Sequence, residues 1–93
     1  MNKEKLEKVY LELIKTVIYE YELYKTDNQM KEISVVYSSG CIDSTKRLLT
    51  IVAYNDSRIE RVRELTYKLY YGSEEEEEKA LNELKSASNK VVS

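Results

Sequence analysis

Leu6, Val9, Tyr10, Leu13, Ile14, Val17, Tyr21 and Tyr24 recur at spacings of three and four. That spacing marks one face of an α-helix about six turns long. Lys5, Lys8, Glu12, Lys15 and Glu22 occupy much of the opposite side, so an amphipathic helix is predicted over residues 3–25. It ends at Thr26-Asp27-Asn28-Gln29, residue types that favour turns and caps. A stripe this long must be covered. Either it faces the chain's own core or it forms a seam with a partner helix.

The C-terminal third repeats the helical signal. Asp56 or Ser57 is placed to cap a helix over 58–71. Its inner stripe is Ile59, Val62, Leu65, Thr66, Leu69 and Tyr70. Gly72 stands just past its end, where a left-handed residue is expected. Ser73 then opens a last helix over 74–88, with Glu76 three residues on as its capping-box partner. The run Glu74 to Glu78 lies in the first turns, where negative charge suits the helix dipole. That run reads as a solvated helix start, or as a docking site for a basic partner. Ala80, Leu81, Leu84 and Ala87 give this helix a weak apolar side, and residues 89–93 are expected to fray.

Between these helices lies "KEISVVYSSGCIDSTKRLLTIVAYN", residues 31–55, with eight of the nineteen β-branched residues and the only cysteine. A tight turn at Asp43-Ser44 would fold it into a hairpin with strands at 32–41 and 45–54. Ile33 would then face Tyr54, Val35 would face Val52, and Tyr37 would face Thr50, all on one largely apolar side. β-propensity favours this arrangement. The expected fold class is therefore α+β, a helix–hairpin–helix–helix domain whose two-stranded antiparallel sheet is packed by helices. The alternative is an all-α chain with a helix-turn-helix at 31–54.

Two resemblances attach to the same segment. "VVYSSGCIDST" resembles the signature of the PP-loop ATP pyrophosphatases, in which a strand meets a Ser-Gly-Gly-x-Asp-Ser turn. Ser39, Gly40, Asp43 and Ser44 match it, and Cys41 replaces the second glycine. The resemblance implies a phosphate-wrapping loop within a multi-stranded parallel sheet. Only about forty residues follow, and they read as two helices. "KEIS" with "STKRLL" resembles the helix-turn-helix of many bacterial and archaeal DNA-binding repressors. That resemblance implies a recognition helix over 44–54 whose outer face carries Lys46, Arg47, Thr50 and Tyr54. The turn between the two helices is longer than in the compact motif. The hairpin explains the segment with fewer departures.

Composition narrows the function. The 93 residues make one domain, and the net charge of −2 gives no strong pull toward nucleic acid or an acidic membrane. Apolar runs of only a few residues predict neither a signal peptide nor a membrane span, and a cytoplasmic location is the default. The chain has no histidine, and Cys41 is alone, so no metal site, cofactor or small-molecule substrate is expected. No pair of carboxylates stands out for acid–base chemistry, and an enzyme is not expected.

The leading expectation is a small protein-binding, regulatory or assembly protein. By analogy alone, such proteins include those of viruses and mobile elements. It would act through an apolar patch, a helix face or a sheet edge, against another protein or a second copy of itself, a homodimer being the expected form. Val36, Leu49 and Ile51 are the candidate contacts, with Tyr19, Tyr67 and Tyr71 as aromatic anchors. The alternative is a DNA-binding regulator using Lys46, Arg47, Thr50 and Tyr54, with Arg58, Arg61 and Arg63 as a basic patch.

Overall fold

The computed structural model describes residues 3–51 and 57–92, with side chains described as far as Asn89. It contains four helices: α1 (Lys3–Thr26), α2 (Lys31–Ile51), α3 (Arg58–Tyr71) and α4 (Glu74–Val92). There is no strand among the described residues. The expected hairpin is therefore overturned. Residues 32–41 and the described part of 45–54 form one continuous helix, and the fold is an all-helical bundle. The helix-turn-helix alternative fails at the same place, because the residues assigned to its turn are helical from Tyr37 to Asp43. Tyr54 and Asp56 lie outside the described residues.

The helices form a ring. Each packs against its neighbour in the chain, α4 closes back onto α1, and α1 and α3 touch across the middle. α2 and α4 do not meet among the described residues. Short connections make consecutive helices antiparallel, giving an up-down-up-down order. The long dimension of 37 Å matches the about 36 Å expected of a 24-residue helix.

The core follows the stripes. Leu6, Tyr10, Leu13, Ile14, Val17 and Tyr21 of α1 are buried, as are all six inner residues of α3 and Ala80 and Leu84 of α4. α2 contributes differently. Its inward residues are Ser34, Ser38, Ile42 and Leu49, two of them serines. Small side chains there leave room for rings. Tyr70 of α3 sits against Tyr21 and Tyr24 of α1 at centroid distances of 6.0 and 5.7 Å, an edge-on and a tilted arrangement that aromatic pairs favour. Ser34 Oγ donates to the Glu20 carbonyl at 3.0 Å and accepts from Gln29 Nε2 at 2.8 Å. Gln29 also donates to the Glu20 carboxylate at 2.9 Å. This network ties the start of α2 to the end of α1 while satisfying polar groups taken out of water.

Helical threonines are accommodated in the same economical way. The hydroxyls of Thr26, Thr45, Thr50 and Thr66 each donate to the carbonyl four residues back. That bond lets a β-branched polar residue sit in a helix without an orphaned hydroxyl.

The ends differ from the expected capping in two places. Ser57 has helical dihedrals and its side chain makes no cap bond. Gly72 is extended rather than left-handed, with φ −82° and ψ 174°. The left-handed residue is Asn28, at φ 58°, where the chain leaves α1 and the amides of Asp27 and Gln29 both donate to the Leu23 carbonyl. The capping box of α4 is present. The Ser73 amide donates to Glu76 Oε1 at 3.1 Å and the Glu76 amide donates to Ser73 Oγ at 3.2 Å.

Gly72 is needed for proximity. A Cβ there would lie 2.7 Å from the Lys68 carbonyl oxygen and 3.0 Å from the Glu76 Cβ. Gly40, inside α2, is the opposite case, since a Cβ there meets nothing within 4 Å.

The α1–α4 seam carries a polar lock. Tyr21 OH donates to Glu77, and Lys25 Nζ lies 2.9 Å from the same carboxylate. Burial pushes the Glu77 carboxyl up, but the Tyr21 and Lys25 contacts outweigh it and hold the group below the usual carboxylate range. Burial raises the Tyr21 hydroxyl, and the bond to Glu77 raises it further.

Two predictions follow from these contacts. Gly72→Ala should lower the urea midpoint, with a cost of about 1–3 kcal/mol from the clash with backbone. Gly40→Ala should raise it, by about 0.5–1 kcal/mol, because a mid-helix glycine is replaced at no steric cost. For the seam, a carboxyl with a depressed pKa stabilises the fold above its unfolded pKa and ceases to do so as pH falls through the folded value. A tyrosine with a raised pKa stabilises below its unfolded value and ceases to as pH rises. Stability should thus be flat between about pH 5 and pH 9 and fall on both sides. Denaturation against pH should show Glu77→Gln flattening the acid arm and Tyr21→Phe flattening the alkaline arm.

Candidate functional site

The placement of α2 in the ring decides where an interaction surface can be. α2 is apolar on more than one side, and a helix of that kind is ordinarily covered all round. Here α1 and α3 cover it and α4 does not. The uncovered side presents Ile33 at 52% exposure, Val36 at 71%, Tyr37 at 55% and Ile51 at 74%. Leu48 is exposed beside them.

This face continues into a groove of about 740 Å³ between α1 and α2, with Val9 and Thr16 on one wall and Tyr37, Gly40 and Cys41 on the other. A smaller depression of about 390 Å³ lies over Ile33 and Val36, and another of about 390 Å³ is bordered by Thr16 and Tyr19. Tyr37 borders all three. The surface is apolar, elongated and open along a rigid helix. Such a shape suits a helix or an extended apolar segment better than a small polar substrate.

The candidate residues read from the sequence divide. Val36 and Ile51 lie on the exposed face of α2, and Tyr19 stands beside it on α1. Leu49 does not belong to it, being 3% exposed and part of the core. Tyr67 and Tyr71 are exposed on α3, with ring centroids 5.2 Å apart. The Lys31 ammonium lies 4.5 Å from the Tyr71 ring centre. These two rings take no part in the α1–α2 groove.

The cations singled out for nucleic acid are mostly engaged by carboxylates. Arg58 grips Glu7 through two bonds of 2.9 and 3.0 Å and lies 4.2 Å from the Tyr10 ring centre. Arg61 makes two bonds of 2.7 Å to Glu83 and a 3.0 Å contact with Glu64. Arg63 reaches Asp43 at 2.8 Å, and Lys46 reaches Glu60 at 2.7 Å. These partners hold Glu60, Glu64 and Glu83 below the usual carboxylate range, the bonds from Lys46 and Arg61 being the largest causes. Thr50 bonds to the Lys46 carbonyl. Arg47 is exposed and has no ion-pair partner among the described residues. Exposed pairs of this kind add little stability, but they neutralise the patch locally.

Cys41 is half-buried beside the groove. Burial pushes its thiol up, and the Glu20 charge pushes it the same way, so the nucleophilic thiolate is disfavoured. Among the described residues no cluster of acidic or cysteine side chains is arranged to hold a metal ion. No described helix is long and apolar enough to cross a membrane. No known protein family, curated protein or solved structure matches the chain.

Ile33, Tyr37, Gly40 and Leu48 were not singled out by sequence reasoning as contacts. The hairpin placed the first two on its inner side. The signal that could have found Ile33 and Gly40 is the helical register of α2, which sets them opposite Ser34, Ser38 and Ile42; Tyr37 and Leu48 lie toward the edge of that side.

If the outer residues support no part of the monomer's core, removing them should cost little. Val36→Ser and Ile33→Ser should each shift the stability of dilute protein by no more than about 0.5 kcal/mol, whereas Leu49→Ala should cost about 2–5 kcal/mol. Thermal denaturation of the three variants side by side checks this.

Proposed function

We propose that this chain is a small non-enzymatic protein-binding module, regulatory or assembling in role, whose contact surface is the outer face of α2 and the groove beside it. The observation that carries the reading is the row of exposed apolar side chains on α2, Ile33, Val36, Tyr37, Leu48 and Ile51, on one side of a rigid helix. Scattered exposed apolar residues are ordinary, but two apolar clusters on one helix, Ile33, Val36 and Tyr37 at one end and Leu48 and Ile51 at the other, beside an apolar groove are characteristic of interfaces. Tyr19 and Tyr37 supply the large amphipathic rings that dominate binding energy at such surfaces. The sheet edge once available to the α+β arrangement is no part of this reading. A cytoplasmic location goes with it, as a single unpaired thiol suits a reducing compartment.

Less supports nucleic-acid binding. Lys46, Arg58, Arg61 and Arg63 already have carboxylate partners within the chain, and prising them free would oppose any gain at a phosphate. Catalysis has less support still, given a chain without histidine and a cysteine biased toward its thiol form.

The reading is tested by placing a photo-crosslinking amino acid at Val36 in the cells that make the protein, with Asn82 on the exposed side of α4 as control. A discrete protein adduct from position 36 and none from position 82 is the expected result. No adduct, or equal labelling from both positions, overturns it.

A further inference from the structure

Six positions on the outer side of α2, Ile33, Tyr37, Gly40, Ser44, Arg47 and Ile51, are all exposed. Their spacing alternates between four and three, the seven-residue repeat of a coiled-coil seam. At about 100° per residue they fall within an arc of about 80°. None of the six contributes to the bundle's buried core.

The order of these residues is self-complementary when the helix is reversed. Ile33 and Ile51 are equally far from Ile42, as are Tyr37 and Arg47, and as are Gly40 and Ser44. Laid antiparallel on a second α2, the seam places isoleucine against isoleucine at both ends. It places the Arg47 guanidinium against the Tyr37 ring twice, and glycine against serine on either side of the centre. Arg47 has no ion-pair partner within the monomer's described residues, and a guanidinium on a tyrosine face is a favourable pairing that tolerates exposure. Gly40 is otherwise unexplained. Glycine weakens a helix interior, and nothing in the bundle occupies the space its Cβ would take. In the reversed pairing that space admits the second backbone.

The geometry points to a second copy of this chain as the occupant of the α2 face, in an antiparallel, two-fold α2–α2 contact centred at Ile42. The inference rests on the reading of this face as an interaction surface and specifies its partner. The isologous arrangement needs one patch that matches itself, and the net charge of −2 leaves little self-repulsion to overcome. A strip about 31 Å long and one helix, about 10 Å, wide covers about 300 Å² per copy, below standard interfaces and in the range of a weak contact. A reversible dimer that responds to concentration is therefore expected.

Sedimentation equilibrium of the full chain from about 1 to about 500 μM should show conversion from 11.0 kDa to twice that mass. Arg47→Glu and Ile51→Glu should each weaken the dimer by about tenfold or more. Gly40→Ala separates this role from a structural one, because it should stabilise the dilute monomer and weaken the dimer. The register is read with Cys41→Ser as background: adding Ile33→Cys and Ile51→Cys together should give a covalent dimer on mild oxidation, and adding Ile33→Cys and Arg47→Cys should not.

A monomer throughout the range overturns the second-copy proposal, and so does a dimer indifferent to Arg47→Glu and Ile51→Glu. Equal crosslinking of both cysteine pairs overturns the register. If the photo-crosslink at Val36 still yields an adduct with a different protein, the interaction surface stands and only its self-pairing falls. If that adduct is absent as well, both fail.

Discussion

The closeness of α2 to α1 and α3 is set by Ser34 and Ser38, and the rest of the bundle depends on it. Both serines are fully buried, and each removes the bulk that a leucine would place at the same spot. The space goes to Tyr70, which reaches across from α3 to Tyr21 and Tyr24. Ser34 also uses its hydroxyl on the Glu20 carbonyl, so the close approach is accompanied by a satisfied polar contact. Ser38 Oγ and Tyr70 OH are less well served. Both are enclosed, and neither has a partner with hydrogen-bond geometry. Burial raises the Tyr70 hydroxyl, with the neighbouring Ser38 and Ser34 hydroxyls pulling the other way. The core thus accepts one imperfectly matched polar pair in exchange for dense ring packing.

A core whose only aromatic is tyrosine has to decide where its hydroxyls go. Tyr21 sends its hydroxyl to Glu77 on α4, which makes the aromatic cluster continuous with a charged seam. Tyr10 lies under the Arg58 guanidinium. Tyr19, Tyr37, Tyr67 and Tyr71 are left outward. The ion pairs around α3 add a further constraint: Arg58 to α1, Arg61 to α4 and Arg63 to α2. One helix thereby reaches three others, although its rotation is set by the burial of its apolar stripe, and α2, which does not meet α4 among the described residues, keeps an uncovered side.

Much of this was legible in the sequence, and the missing part has a specific cause. The stripes of α1 and α3 are dominated by apolar side chains at helical spacing, and the structure buries them. The Ser73–Glu76 box is likewise readable, because it is a local bond between two named residue types. α2 conceals its period. Two of its four inward residues are serines, while Ile33, Val36, Tyr37 and Ile51 face out. A count of apolar positions therefore sees no single helical face. The pairing of Ile33, Val35 and Tyr37 with later apolar residues arises from this two-sided character, and strand propensity tips the choice. Tertiary packing outweighed propensity. Exposure was half visible for the same reason: Val36 and Ile51 are exposed, whereas Leu49, read as outward on a strand, is buried on a helix.

The ring order has a kinetic consequence. Three of its four seams join helices adjacent in the chain, across connections as short as the two residues at Gly72 and Ser73. Topologies of this kind pay little loop-closure entropy before their contacts form, and they assemble rapidly. The exception is the α1–α4 seam, whose members are far apart in the chain and which holds the Tyr21–Glu77–Lys25 lock. That seam carries the ring's one large loop-closure cost. The Tyr21–Glu77–Lys25 contacts therefore sit where the ring closes on itself, joining the end of α1 to the start of α4.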